Sequence, residues 1–148
     1  MKKLLAITAA AAIIAIAGSA MAATANLAVS ASISNACSVT GGTLSFGALD
    51  TLAAPAVPGT SAGVTVTCTK SDPYTVTVDK GINFVGAQAN LKNSANTDKI
   101  PYSLTVPALS AGTGASQTVA ITGSIAAGTY NTASAGTYND TVVITVTP

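Results

Sequence analysis

The chain has 148 residues and a formal net charge of +1, and it contains no arginine, glutamate, histidine or tryptophan. Without histidine there is no Ser-His-Asp triad and no Cys-His pair, and without clustered Lys and Arg or stacking aromatics there is no footprint for nucleic acid. Its 49% hydrophobic content is inflated by alanine and by one apolar run at the N-terminus, so it does not argue for a membrane protein.

Met1-Lys2-Lys3 places two positive charges ahead of that run, which extends from Leu4 to Ala17 and ends in Gly18-Ser19-Ala20-Met21-Ala22. A charged start, an apolar stretch too short to span a bilayer and a small-x-small ending are the parts of a secretory signal peptide, with cleavage expected after Ala22. The remainder, residues 23–148, is one domain's worth of chain. It carries four lysines against five aspartates, a surface solvated mainly by hydroxyls and amides.

Residues 23–34 come next, and in them Leu27, Val29, Ala31 and Ile33 alternate with Ala28, Ser30, Ser32 and Ser34. A strand puts the first four on one face over roughly 20 Å, whereas a helix would scatter them. Such a strand either packs within its own domain or leaves it to fill a groove in a neighbour by β-augmentation.

Cys37 and Cys68 are the two cysteines. After export to an oxidising compartment a single pair has one possible connectivity, so a disulfide is expected; without histidine or a CxxC pair, a metal or redox site is not.

Beyond Cys37 the period is two. Alternating runs occur at Leu44-Phe46-Ala48, Val64-Val66-Cys68, Tyr74-Val76-Val78, Ile100-Tyr102-Leu104-Val106, Val119-Ile121 and Val142-Ile144-Val146. Thr and Ser fill most intervening positions, the pattern of strands with one buried face. Turn-rich segments at 55–63, 71–73, 79–81, 93–98, 107–114 and 126–136 read as loops, and 83–91 as a loop or irregular strand. Six or seven short strands so spaced predict an all-β immunoglobulin-like sandwich. Residues 138–147 form the longest strand signal, and its outer edge is expected to need cover from the chain's own N-terminal strand or from another chain. The aspartates fall mostly beside turn residues, where they close turns; Asp140 is the exception and reads as structural, a charge on an edge strand. Gly112-Thr113-Gly114 opens no helix and is not a nucleotide loop. No catalytic group and no cofactor is expected.

Cys37-Ser38-Val39, Leu44-Ser45-Phe46-Gly47, Val64-Thr65-Val66-Thr67-Cys68-Thr69, Tyr102-Ser103-Leu104 and, above all, Ala135-Gly136-Thr137-Tyr138-Asn139-Asp140-Thr141-Val142 resemble the spore coat protein U domain. That domain is shared by spore coat proteins and by pilins of the archaic chaperone-usher pathway. The resemblance implies an incomplete immunoglobulin-like β-sandwich, spanning residues 35–148, that is completed by a donated N-terminal strand. Leu27, Val29, Ala31 and Ile33 would be the donor residues, and Val142, Ile144 and Val146, or their alternate neighbours, would line the acceptor strand. The implied partners are other pilin subunits, a periplasmic chaperone and an outer-membrane usher, with no nucleic acid and no small-molecule substrate. The implied destination is the cell surface, in a fibre supporting adhesion and biofilm formation. A secreted coat protein, or a small binding module that completes its own sandwich, is the alternative.

Overall fold

The computed structural model describes residues 21–108 and 111–148; most of the expected signal peptide lies outside them. The chain divides into two units, Met1–Ser32 and Ile33–Pro148. In the first unit, the described residues belong to no strand and are exposed throughout.

The second unit is all-β, with no helix among its described residues. Its strands in chain order are β1 (Cys37–Thr40), β2 (Thr43–Leu44), β3 (Val57–Ala62), β4 (Thr65–Cys68), β5 (Thr75–Val78), β6 (Ala89–Asn93), β7 (Lys99–Thr105), β8 (Gln117–Thr118), β9 (Thr122–Ile125), β10 (Tyr138–Asn139) and β11 (Ile144–Thr147). A six-stranded antiparallel sheet has the order β10-β6-β7-β9-β3-β2; β1-β4-β8 and β11-β5 form two smaller antiparallel sheets.

Period two produces this architecture directly. Along β7, Ile100 and Tyr102 are buried and Leu104 is half-buried, while Lys99, Ser103 and Thr105 are exposed. Val66 and Cys68 of β4 are buried in the same alternating manner. One core cluster gathers Val64, Val66, Cys68, Tyr74, Val119 and Ile121, with Val76, Val78, Ile144 and Val146 packed on it. The other gathers Ala54, Ile100, Tyr102, Ile125 and Tyr130, and Leu104 touches both. The Tyr130 hydroxyl, brought inside with its ring, donates to the Pro55 carbonyl at 2.8 Å, which satisfies the polar tip that burial would otherwise orphan.

The chain passes between the layers several times, and two expectations change there. Residues 55–63 are not a loop: Val57–Ala62 is β3, between β2 and β9. Its glycine misleads because it works as a seat. A Cβ on Gly59 would come within 3.0 Å of Leu44 Cδ2 and 3.1 Å of Phe46 Cδ1, and one on Gly123 of β9 within 2.9 Å of Phe46 Cζ. Glycine inside a strand marks a close approach as readily as a turn. Val119 and Ile121 are buried as expected, yet they lie between β8 and β9, where the chain crosses from the three-stranded sheet to the six-stranded one. Ser61 holds the crossing, with its Oγ donating to Val119 O at 3.2 Å and accepting from Ile121 N–H at 2.9 Å. Of residues 83–91, Ala89 onward belongs to β6, and Val85 and Gln88 close a tight bridge before it.

Candidate functional site: an open groove between β2 and the C-terminal strands

Among the described residues, the C-terminal strand region is paired along one side only. Tyr138 and Asn139 pair with β6, Ile82 N–H donates to Thr141 O at 3.1 Å, Asp79 N–H donates to Val143 O at 3.1 Å, and β11 pairs with β5. Successive residues of a strand turn their N–H and C=O to opposite edges. The peptide groups of Ile144 and Val146 therefore face away from β5, toward an edge with no ladder among the described residues. Their side chains turn inward and are half-buried, while Val143 points out with 56% of its surface exposed.

The start of the second unit is equally one-sided. Among the described residues, β1 is an end strand of its sheet, paired only with β4, and β2 is an end strand of the six-stranded sheet, paired only with β3. Between this edge and the last strands runs a groove with two cavities. The first, of about 370 Å³, has Thr43, Leu44 and Phe46 on one rim and Asp140, Thr141, Val142 and Ile144 on the other, over a floor of Val64, Val78, Leu91, Tyr102, Leu104 and Ile121. The second, of about 580 Å³, lies between residues 44–49 and residues 133–139, over Leu91, Ile100 and Tyr130. Leu44, Phe46 and Leu91 border both cavities, which are therefore neighbours along the groove. Leu44, Phe46 and Leu49 are only half-buried.

Asp140 anchors the middle of the C-terminal rim. Its carboxylate accepts from the Tyr102 hydroxyl at 2.7 Å and from Asn83 N–H and Asn83 Nδ2, each at 3.1 Å. Burial pushes the Tyr102 phenol well above its ordinary range, and the hydrogen bond to Asp140 and that residue's charge push it further. Gly81, at φ +74°, lets the carboxylate approach, since a Cβ there would collide with it. Asp140 is not the charge on an edge strand that was expected: it lies half-buried between β10 and β11 and holds the rim by hydrogen bonds to the groove floor and to Asn83. Period-two reasoning could not find Asn83 or Gly81, because both sit in a turn-rich stretch.

Cys37 and Cys68 are disulfide-bonded, tying β1 to β4 in register. Leu27, Val29 and Ile33 have 87%, 86% and 86% of their surface exposed; Ala31 is exposed too. Val142 and Ile144 line the first cavity, and Val146 packs on the first core cluster. Among the described residues no cluster of three or more acidic, cysteine or histidine side chains is placed to hold a metal ion.

The model of the Spore Coat Protein U domain matches residues 23–108. The chain belongs to the spore coat protein U domain family. No curated protein matches it. Among solved structures, this spore coat U domain is similar to a chain in the crystal structure of the CsuC-CsuE chaperone-tip adhesion subunit pre-assembly complex from archaic chaperone-usher Csu pili of Acinetobacter baumannii. The identity is 22%, the TM-score 0.51, and the match covers 77% of this chain and 40% of that one. At that identity the likeness concerns the fold.

Proposed function

We propose that this protein is a structural subunit of a chaperone-usher surface fibre, polymerising by donor-strand exchange. One observation carries the reading: the unpaired edges of β2 and of the C-terminal strands border an open groove lined by Leu44, Phe46, Val142 and Ile144, while the N-terminal segment offers an alternating apolar face. In this reading, residues 23–34 of one copy enter the trough of the next. Their backbone pairs with the free peptide groups of Ile144 and Val146, and Leu27, Val29, Ala31 and Ile33 cover Leu44, Phe46 and the floor.

Burying Leu27, Val29 and Ile33 at about 1.5–3 kcal/mol each contributes roughly 5–9 kcal/mol, an upper value because the free segment already hides some of its surface. The backbone ladder adds direction and register. The same trough, open before assembly, is a hazard for aggregation, which gives a periplasmic chaperone its task and an outer-membrane usher a substrate. Export to the cell surface and a part in adhesion and biofilm growth follow from that role.

The test is to express the chain with and without residues 23–34 and run unboiled samples on denaturing gels. Ladders from the full chain that vanish on deletion, or on V29D, support the proposal. A full-length protein that stays a stable monomer without a chaperone overturns it.

A further inference from the structure

The point where the N-terminal segment meets the sandwich is held by more than the disulfide. Asn35 Nδ2 donates to Asp72 Oδ1 at 2.6 Å. Ala36 N–H donates to Thr69 Oγ1 at 3.1 Å, and Thr69 N–H returns to Ala36 O at 2.9 Å. The same Thr69 hydroxyl lies 3.5 Å from Ser34 O. Residues 34–36 are thus held at successive positions although all three are exposed.

The partner side is rigid. Asp72 is 3% exposed, its N–H donates to Thr69 O at 3.1 Å, and its carbonyl accepts from Gly112 N–H at 2.8 Å. Ser71 N–H donates to Gly112 O at 2.8 Å, and Ser71 occupies the left-handed region at φ 65°. Among the described residues Asp72 Oδ2 has no hydrogen-bond partner, and Asn35 supplies the single side-chain donor to this buried carboxylate. A buried carboxylate pinned by its backbone and contacted by an exposed asparagine is poorly explained as core stabilisation, since Asn35 buries little. It is well explained as a fixed post to which the chain is tied.

We propose that Asn35, Thr69 and Asp72 form a clamp that stiffens the joint between consecutive subunits. The inference rests on the donor-strand reading: with residues 23–34 seated in one copy and the sandwich from Cys37 onward in the next, residues 35 and 36 are the hinge. A free dipeptide hinge would let the fibre bend at every joint. A hinge whose backbone and side chain are both tied transmits the orientation of one subunit to the next.

N35A removes the side-chain tie at an exposed position, and T69V removes the hydroxyl alone, so that one variant remains informative if the other folds poorly. Fibres of the full chain are compared by electron microscopy for bending and by hydrogen exchange for the Ala36 amide. Either variant is expected to shorten the length over which fibres stay straight by about twofold or more and to speed Ala36 exchange about tenfold, with the amides of β4 unchanged. D72N, which keeps an oxygen for Asn35, is expected to stay as straight as wild type. Fibres of N35A and T69V as straight as wild type, with Ala36 equally protected, overturn the clamp while leaving donor-strand exchange standing. Failure of the wild-type chain to polymerise overturns both.

Discussion

The Tyr102 hydroxyl donates to Asp140 Oδ2 at 2.7 Å, and this one bond ties the floor of the open groove to its C-terminal rim. Tyr102 comes from the middle of the six-stranded sheet and also meets Phe46 at a ring-centroid distance of 6.0 Å, so it touches both rims at once. Y102F keeps the ring and deletes the donor. It is expected to cost about 1–2 kcal/mol in chemical denaturation, because Asp140 loses its shortest hydrogen bond in a partly buried place.

The same bond sets a pH limit. An unfolded tyrosine releases its proton near pH 10, whereas folded Tyr102 holds it to a higher pH. Its contribution is therefore complete below about pH 10 and is lost as pH rises from there toward the folded value. Melting temperature measured from pH 7 to 11 should fall on the alkaline side, and Y102F should flatten that fall.

On the acid side the sensitive group is Asp98, whose pKa is lowered by hydrogen bonding to Ser134, including Ser134 N–H at 2.9 Å from Oδ2. Its contribution is present above the ordinary aspartate value and disappears as pH falls through the lowered one. Carboxyl NMR should find it titrating below 3.8. S134P, which deletes the backbone donor, should raise that midpoint.

Gly81→Ala is expected to destabilise by about 1–3 kcal/mol, since the residue has positive φ and its new methyl meets the Asp140 carboxylate. Thermal melting checks the magnitude. A drop shared by G81A and not deepened when Asp140 is also replaced would place the clash where the geometry puts it.

Gly123→Val fills the seat of the Phe46 ring and should push that side chain into the trough. Overpacking of this kind costs about 1–3 kcal/mol. The unboiled-gel assay should show shorter ladders than the stability loss alone produces, because the floor the donor needs is then occupied. G123A, with a smaller intrusion, should lie between.

Reduction of the Cys37–Cys68 bond, or C37S, frees a loop closed over 31 residues and should lower stability by roughly 3–4 kcal/mol in denaturant titrations with and without reductant.

Much of this protein is legible in its alternation. Val, Ile and Thr at period two in 64–68, 74–78 and 100–106 predicted all-β structure, and the inward-facing members of those runs are the buried or half-buried ones found. The period reports which face of a strand meets the core, and that is a local property of the chain. It is blind to β3, because Pro58 and Gly59 carry the residue types of a turn while Gly59 makes room for Leu44 and Phe46 side chains from another strand.

The sequence by itself determined the class of fold, the cysteine pair, the alternating N-terminal segment and the inward set Val142, Ile144 and Val146. Only the tertiary structure decided which strand edges go unpaired, that Leu44, Phe46 and the C-terminal rim face one trough, and that Asp140 and Asp72 find Tyr102 and Asn35. The reason is physical: side-chain period encodes faces residue by residue, whereas edges pair through backbone groups that every residue carries alike. Which edge meets which is therefore settled by contacts between segments far apart in the chain.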